Sequence, residues 1–235
     1  MPGPVALIGA GEFLPAMAEF DLGLLAAAAP VRPRVVILPT ASYPDGEATF
    51  QRWAAMGSEH FDGLGAEVEP VLVRVRADAF DAANAQAVGE ADLIYLSGGE
   101  PGYLLDVLVG SPVWEAACAA HARGAILAGC SAGAMVLCAR QGLMRRRLAP
   151  WPLHWQAGLG VVPGVAVFPH YDRLPEAFAA LMAFQAPRDV AVVGIDEGTA
   201  VVGRDGSWQV HGRSRVTVWR GRHRSRHRSG EVFRL

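Results

Sequence analysis

The sequence predicts an α/β fold in which a mostly parallel central sheet carries helices on both faces. Short runs rich in valine, isoleucine and leucine recur along the first half of the chain, at 5–11, 34–42, 67–73, 92–99 and 125–131. Their nearly continuous hydrophobicity is typical of strands that are covered on both faces, as in a parallel sheet. Helical patterns alternate with these runs, at 14–29, 45–62, 78–89 and 101–122. Such alternation indicates a layered α/β architecture with right-handed crossover connections.

The second half of the chain continues this pattern and then departs from it. Two more strands are predicted at 164–170 and 190–196, with a helix at 175–186 between them. Beyond them, alternating residues flank a turn at Asp205-Gly206, which predicts a C-terminal β-hairpin. The segments RVTVWRG and EVFRL are expected to add short strands to the same edge. Because no internal repeat and no linker-like stretch interrupts the pattern, we predict a single domain over residues 1–235.

The charged residues exclude several classes of function. The formal net charge is -2 at pH 7, which provides no overall field to attract nucleic acid or an acidic membrane. The chain has no lysine, so a catalytic or phosphate-binding lysine is excluded. An arginine-rich segment at 213–228 contains many of the basic residues. Since aromatic residues are sparse there, we expect a solvated terminus or hairpin, with nucleic-acid binding as the minor alternative.

The cysteines indicate a reducing compartment. Cys118, Cys130 and Cys138 have neither the even number of a disulfide framework nor the spacing of a metal site. The first residues lack the pattern of a secretory signal peptide, and the longest apolar stretch is too short to span a bilayer. We therefore expect a cytoplasmic protein without a membrane partner.

Polar and glycine residues gather at the carboxyl ends of the predicted strands. Ligands of an open parallel sheet bind at that edge. The residues concerned are Gly9, Gly11, Ser42, Gly98, Gly99, Ser131, His170, Asp196 and Glu197. We therefore expect the chemistry of this protein to be located there.

Ser131 is the candidate nucleophile. The run Gly129-Cys130-Ser131-Ala132-Gly133 fits the Gly-x-Ser-x-Gly pattern of a nucleophile elbow, in which a strand enters a helix through a sharp turn. Small residues beside the serine permit that turn, and the turn exposes the hydroxyl. The run follows an apolar strand and precedes the helical pattern AGAMVLCAR, as the elbow requires. The amide of Ala132, at the helix N-terminus, is then placed to face a developing oxyanion.

Cys130 is the rival nucleophile, because a thiol is intrinsically more nucleophilic than a hydroxyl. Neighbouring residues of a strand point to opposite faces, so only one of Cys130 and Ser131 presents its side chain to the cleft. Glycines stand two positions away from Ser131 on both sides, whereas alanines stand at the matching positions around Cys130. This frame favours Ser131 as the nucleophile and Cys130 as a core residue.

A catalytic serine needs a base, and the base needs an acid that orients it. His170 is the preferred base because it ends a predicted strand downstream of the elbow, and His154, in the irregular stretch WPLHWQAG, is the alternative. The remaining histidines lie on apparent surface helices, in the hairpin or in the arginine-rich segment. Asp196 and Glu197 end the next predicted strand, and the residues alone do not decide between them.

A second oxyanion donor is expected from Gly98-Gly99, because glycine lets the backbone approach closely at the end of a strand. The early run GAGEF resembles the beginning of a dinucleotide-binding fingerprint, but Leu14 occupies the position of its final glycine. We therefore do not expect NAD. No motif implies another organic cofactor or a metal.

Four motifs, taken in order, make the sequence similar to a known family. LSGGEPGYLL, GCSAGAM, GLGVVPGVAVFPHYDRL and VVGIDEGTAVV resemble segments of the cyanophycinase and dipeptidase E family of serine peptidases. The resemblance runs from VALIGAGE to about residue 202. It implies a class I glutamine amidotransferase-like (flavodoxin-like) fold, a three-layer sandwich with serine in place of the usual elbow cysteine.

The same resemblance implies roles for individual residues. Ser131 would be the nucleophile and His170 the base, with Glu197 rather than Asp196 as the orienting acid. Gly99 and Ala132 would then correspond to the residues whose amides bind the oxyanion. The implied reaction is hydrolysis of a small peptide or isopeptide, next to an aspartyl residue, through an acyl-enzyme on Ser131.

The resemblance is weakest around the expected substrate pocket. Family members carry Asn or Asp and then Gln after the glycine pair, where this chain has Glu100-Pro101. The longer polar stretch after the histidine is reduced to Tyr171-Asp172-Arg173-Leu174. Glu100 would favour a cationic or free-amine group of a substrate, and Arg173 would pair with a substrate carboxylate. For both residues, an exposed loop salt bridge is the alternative.

Two other functions stay open on the sequence alone. One is an amidotransferase-like or esterase activity, and the other is a non-catalytic binding or regulatory role on the same fold. We expect a small peptide as the substrate, and a homodimer is left open.

Overall fold

The computed structural model describes residues 1–28, 31–143 and 153–235. The strands are β1 (Val5–Ile8), β2 (Arg34–Leu38), β3 (Glu67–Pro70), β4 (Leu93–Leu96), β5 (Ile126–Cys130), β6 (Arg140–Leu143), β7 (His154–Ala157), β8 (Val165–Phe168), β9 (Ala191–Ile195), β10 (Thr199–Arg204), β11 (Ser207–Gly212), β12 (Arg215–Arg220), β13 (His223–Arg228) and β14 (Val232–Arg234). The helices are α1 (Ala18–Ala28), α2 (Glu47–Gly63), α3 (Ala82–Gly89), α4 (Pro101–Leu108), α5 (Pro112–Arg123), α6 (Ala132–Leu137) and α7 (Glu176–Phe184). The prediction of an α/β fold with a large central sheet is confirmed.

The main sheet has eight strands in the order β14-β11-β10-β1-β5-β4-β2-β3. Strands β1 to β5 pair in parallel throughout, whereas β10, β11 and β14 pair antiparallel and extend the sheet beyond β1. β5 lies between β1 and β4 in the middle of the sheet. The elbow that follows β5 therefore opens at the centre of the carboxyl edge.

Strands β8 and β9 belong to a second, four-stranded sheet in the order β13-β12-β9-β8. The sequence pattern predicts both strands in the same sheet as the others, and this prediction is wrong. β1 already has β5 on one side and β10 on the other, so no position beside it is left for β9. β9 pairs in parallel with β8 and antiparallel with β12 instead. The ends of β8 and β9 consequently reach the elbow from a neighbouring sheet.

Antiparallel hairpins make up the C-terminal part of the chain. β10 and β11 pair around Asp205-Gly206, whose φ angles of 53° and 76° suit a two-residue hairpin turn. β12 and β13 form a second hairpin, which contains most of the arginine-rich segment. RVTVWRG therefore supplies β12 of the second sheet, and EVFRL supplies β14 beside β11. Only the second of these two segments extends the edge of the β10–β11 hairpin.

Helices bury both faces of the main sheet. Leu7 of β1 belongs to a core that includes residues of α3, α4, α5 and α6. Its neighbour Ile8 points the other way, into a core that includes residues of α1 and α2. A third cluster lies between the second sheet and α7 and contains Tyr171 and Trp219. The alternation within single strands explains why their sequence is apolar on both faces.

The helix predicted over 101–122 is divided in the structure. α4 ends at Leu108 and α5 begins at Pro112, because Gly110 adopts a φ of 64° and Ser111 caps α5 by accepting a hydrogen bond from the amide of Trp114 at 3.2 Å. Among the described residues, no single helix is long and apolar enough to cross a membrane. α4 and α5 meet that criterion only as a pair, and they meet at an angle of 90°.

Candidate active site

Ser131 lies in the turn between β5 and α6 with φ 50° and ψ −110°. A residue with a Cβ rarely adopts a positive φ, so the surrounding structure must hold this conformation. Glycines on both sides of Ser131 allow the backbone to approach neighbouring backbone atoms as closely as the turn requires. A Cβ on Gly129 would lie 2.5 Å from the carbonyl carbon of Gly133, and one on Gly133 would lie 2.2 Å from the carbonyl oxygen of Leu96. The glycine frame of the elbow is therefore a steric requirement of the fold.

His170 lies beside Ser131, although it does not end a strand. β8 stops at Phe168, and His170 stands two residues further on with φ 49° and ψ 38°, before a 3₁₀ turn at Tyr171–Arg173. Its Nε2 is 3.1 Å from Ser131 Oγ. β8 ends two residues before the predicted strand 164–170 does, because the left-handed backbone at His170 ends the extended conformation and turns the imidazole toward the elbow.

Glu197 completes a chain of hydrogen bonds with Ser131 and His170. Its Oε1 lies 2.8 Å from His170 Nδ1. An ionised carboxylate only accepts hydrogen bonds, so the proton of a neutral imidazole is on Nδ1. Nε2 then carries the lone pair and accepts the hydroxyl proton of Ser131. This is the tautomer that a general base requires.

Asp196 points away from this chain. Its carboxylate is buried, accepts a hydrogen bond from Ser214 Oγ at 2.7 Å and lies 3.6 Å from Arg215 Nε. The two adjacent carboxylates thus face opposite sides of the chain, as consecutive residues near a strand end do. The structure places Glu197, and not Asp196, against His170.

Two residues of the turn after His170 hold Glu197. Arg173 Nε lies 2.7 Å from Glu197 Oε1, and the amide of Glu197 donates to Asp172 Oδ1 at 2.8 Å. The hydrogen bond from His170, together with the charge of Arg173, holds the pKa of Glu197 below its ordinary value of 4.5, against the opposing effect of burial. Glu197 therefore stays ionised at neutral pH.

Cys130 is fully buried and faces away from the cleft. Its Sγ donates a hydrogen bond to Glu12 Oε2 at 2.9 Å. Burial, and next the charge of Glu12, raise the pKa of the Cys130 thiol well above its ordinary value. The thiolate is the nucleophilic form of cysteine, so this side chain is a poor nucleophile. Cys130 is a core residue, as the glycine frame predicts.

One predicted oxyanion donor, Ala132, belongs to the elbow itself, and the other, Gly99, belongs to the segment after β4. Ala132 is the first residue of α6, and the first amides of a helix have no partner within the helix. Gly99 follows β4 with φ 141°, and a Cβ there would lie 2.2 Å from the carbonyl oxygen of Ala41. Gly98, just before it, is so close to the elbow that a Cβ would lie 3.4 Å from Ser131 Cβ. The end of β4 therefore runs beside the nucleophile.

A cleft of about 930 Å³ opens in front of His170 and Gly99. Glu100 and Arg173 both line it. Most of the remaining wall is apolar, formed by Pro44, Pro101, Met135, Leu143, Phe168 and Met182. An apolar cleft with a few charged groups is the usual form of a small-molecule site.

The alternative base His154 occupies a different place. It is the exposed first residue of β7, which pairs with β6. His60, expected on a surface helix, has a mostly buried ring paired with Asp21 at 2.8 Å. Within the described parts of the chain, His170 is the histidine that hydrogen-bonds Ser131.

Sequence reasoning missed two acidic residues of this region. In the sequence, Glu12 belongs to the GAGEF run and Asp172 to a shortened polar stretch, and neither pattern predicts a role for the carboxylate. Glu12 binds Gly98 and Cys130, and Asp172 binds the amide of Glu197. The detectable feature of Glu12 was its position directly after a strand end, at the edge where the other polar residues gather.

The fold and these contacts define a class of protein: an α/β protein with an elbow serine, a histidine and a glutamate arranged as in serine hydrolases. The chain belongs to Peptidase family S51, whose family model matches residues 6–211.

Individual relatives agree with this assignment. Cyanophycinase of Trichormus variabilis is 30% identical over 196 residues, which is 78% of this chain and 62% of the relative. Cyanophycinase of Synechococcus elongatus is 32% identical over 164 residues, which is 65% of this chain and 49% of the relative. The chain thus spans roughly half to three fifths of the length of these curated relatives.

Two solved structures have a similar fold. The crystal structure of a peptidase from an acI-B1 actinobacterium superposes with a TM-score of 0.88 at 34% identity, covering 100% of this chain and 98% of the other. A candidate peptidase E from Listeria monocytogenes EGD-e superposes with a TM-score of 0.66 at 17% identity, covering 91% of this chain and 100% of the other. The second similarity concerns the fold alone.

Proposed function

We propose that this protein is a serine peptidase that hydrolyses a small peptide or isopeptide through an acyl-enzyme on Ser131. The observation that carries the proposal is the hydrogen-bonded chain from Ser131 through His170 to Glu197, with the serine in a strained elbow turn. Membership of Peptidase family S51 supports the reaction class.

In the acylation step, Ser131 Oγ attacks the carbonyl carbon of the scissile bond while His170 Nε2 takes the hydroxyl proton. Glu197 stabilises the imidazolium that forms and keeps Nδ1 protonated. The carbonyl oxygen becomes an oxyanion, for which the amides of Gly99 and Ala132 are the proposed donors. His170 then gives its proton to the departing amine, which leaves as the bond to the carbonyl carbon breaks.

Hydrolysis of the acyl-enzyme repeats these steps with water. His170 Nε2 takes a proton from a water molecule, whose oxygen attacks the ester carbonyl. The tetrahedral intermediate collapses, the bond to Ser131 Oγ breaks, and the serine recovers its proton from His170. In both steps the imidazolium is paired with Glu197, whose Oε1 lies 2.8 Å from His170 Nδ1.

The substrate is proposed to be a small peptide cleaved next to an aspartyl residue. Arg173 is bound to Glu197 through Nε and one terminal nitrogen, and a guanidinium has five N–H donors, so donors remain to bind a substrate carboxylate. Glu100 is exposed at the same cleft and would bind a cationic or free-amine group. These two residues are the proposed substrate contacts.

The proposal also covers the fold family, the cellular location, the number of domains and the oligomeric state. The class I glutamine amidotransferase-like fold is proposed from the helices on both sides of the main sheet. The cytoplasmic location is proposed from the three cysteines, all of which are free thiols. A single domain over residues 1–235 and a homodimer stay predictions.

The direct test is labelling with a fluorophosphonate probe followed by turnover of dipeptides. We expect the wild type to be labelled and to cleave members of a panel of Asp-X and β-aspartyl dipeptides. Ser131→Ala should lose both properties. Ser207→Ala, which removes an exposed hydroxyl on β11, is the matched control and should keep both.

Three outcomes would contradict the proposal. Unchanged turnover by Ser131→Ala would exclude this residue as the nucleophile. A wild type that neither reacts with the probe nor cleaves any member of the panel would favour a binding role on the same fold. Ester turnover without peptide cleavage would identify an esterase instead.

A further inference from the structure

Glu12 is a buried carboxylate directly behind the candidate active site. It lies just after β1, its residue is 6% exposed, and both of its oxygens accept hydrogen bonds. Oε1 accepts from the amide of Gly98 at 2.9 Å, and Oε2 accepts from Cys130 Sγ at 2.9 Å. A carboxylate with so little contact with water is costly unless such partners compensate it.

These two contacts join the two chain segments that supply the proposed oxyanion donors. Gly98 directly precedes Gly99, and Cys130 directly precedes Ser131 and Ala132 in the elbow. A single side chain from a third segment therefore spans from the end of β4 to the end of β5. Hydrogen bonds to a charged acceptor are roughly twice as strong as neutral ones, so this link is stiff.

The amides on both sides of Gly99 have internal acceptors. Gly98 donates to Glu12, and the amide of Glu100 donates to the carbonyl oxygen of Ala41 at 2.7 Å. Gly99 itself sits against Ala41, where a Cβ would find no room. The backbone at this point is therefore held from both sides while it passes Ser131.

We infer that Glu12 is a positioning residue of the oxyanion site: by binding Gly98 and Cys130 at once, it sets the position of the Gly99 amide relative to Ser131. The inference rests on the proposed serine-peptidase function. Glu12 does not touch the substrate in this scheme. Glu12 acts by positioning the two chain segments that carry the oxyanion donors. It therefore stabilises the transition state more than it stabilises the bound substrate.

The test compares Glu12→Ala and Glu12→Gln with the wild type, using p-nitrophenyl acetate as the substrate and phenylboronic acid as the probe. Ser131 Oγ adds to the boron while His170 takes the hydroxyl proton, and the tetrahedral adduct places a boron-bound oxygen where the oxyanion would form. We expect Glu12→Ala to lower kcat by about 10²-fold, the typical cost of misplacing a catalytic group by about 1 Å. The Kd of the boronate should rise by a similar factor, with KM changed by less than about threefold.

Glu12→Gln provides the conservative comparison. Its amide oxygen can still accept from Gly98, but the bond is neutral and roughly half as strong. We expect partial rescue, with losses in kcat and boronate affinity of about tenfold. Glu19→Ala, which removes an exposed glutamate of α1, is the matched control and should behave like the wild type.

The outcomes separate this inference from the proposed function. If the wild type shows no Ser131-dependent ester turnover and no fluorophosphonate labelling, the proposed function fails. If the wild type is active and Glu12→Ala keeps wild-type kcat and boronate affinity, or raises KM alone, the inference is overturned while the function stands. If Glu12→Ala does not fold, the Kd of the boronate for Glu12→Gln is compared with the Kd for the wild type. Equal Kd values overturn the inference.

Discussion

The indole Nε1–H of Trp219 donates a hydrogen bond to the hydroxyl of Tyr171 at 2.8 Å, and both side chains are buried. Trp219 lies on β12, whereas Tyr171 directly follows His170. The Tyr171 ring also packs so closely on β9 that a Cβ on Gly194 would lie 2.1 Å from it. Arg224 of β13 covers the Trp219 ring at 5.4 Å. The arginine-rich hairpin is thereby connected to the turn that carries the candidate base.

We expect Trp219→Phe to loosen that turn without unfolding the protein. Phenylalanine keeps an aromatic ring in the cluster but has no N–H, so the loss in the free energy of unfolding should be about 1 kcal/mol for the hydrogen bond, plus the smaller ring. Hydrolytic kcat should fall several-fold because His170 is held less firmly. Urea unfolding and steady-state kinetics measure the two effects.

Trp208→Phe is the matched control for this substitution. Trp208 is buried on β11 of the main sheet, against Gly203, and so lies on a different sheet from Trp219. It should cost stability and leave kcat unchanged. Equal kcat in both variants and the wild type would contradict a role of Trp219 in holding His170.

Gly99→Ala should lower kcat more than the addition of a single methyl group would suggest. Its φ of 141° disfavours any side chain, and the new Cβ would meet the backbone of Ala41 at 2.2 Å. The segment must move, and the proposed oxyanion amide moves with it, so kcat should fall by about 10²-fold or more. Dipeptide kinetics and the thermal midpoint check this.

Gly102→Ala, three residues later, is the internal control. Gly102 lies within α4, and a Cβ there would meet its nearest neighbour at an ordinary 3.7 Å. Alanine in a helix should stabilise the protein by roughly 0.5–1 kcal/mol and leave kcat unchanged. Similar losses of kcat in both variants would show that the alanine effect is not specific to Gly99.

Glu197→Gln and Asp196→Ala should have opposite signatures. The glutamine amide can donate to His170 Nδ1 and favour the wrong tautomer, so kcat should fall by up to about 10⁴-fold. Asp196→Ala leaves the Ser214 hydroxyl without its acceptor and should cost about 1–3 kcal/mol of stability. The kcat of Asp196→Ala per folded molecule should stay near that of the wild type. If instead Asp196→Ala loses kcat and Glu197→Gln keeps it, the roles of the two acids are exchanged.

The acid sensitivity of the folded state should depend on Glu197. Because its pKa is held below 4.5 in the folded protein, its contribution to stability is fully present above pH 4.5 and is lost as the pH falls through the folded-state pKa. The difference in unfolding free energy between the wild type and Glu197→Gln should therefore be constant from pH 7 to pH 5 and should shrink below that. Urea titrations at several pH values measure it. A difference that grows toward low pH would contradict the assignment.

Much of the fold and the elbow could be predicted because the relevant information is local. Apolar runs, helical patterns and the glycines around Ser131 each act within a few residues, and the strand-to-helix turn needs small residues at those positions. The break between α4 and α5 was also encoded locally, by Gly110, Ser111 and Pro112, although the sequence pattern merged the two helices.

Local sequence patterns predict an α/β core, the elbow at Ser131, His170 as the preferred base with His154 as the alternative, and either Asp196 or Glu197 as the orienting acid. The pairing of distant strands, in contrast, places β8 and β9 in a second sheet, turns Asp196 toward Ser214 and lets Glu12 join the two segments beside the nucleophile. The reason is physical. The direction in which a side chain points near a strand end depends on which distant strand that strand pairs with, and no local pattern in the sequence records that choice.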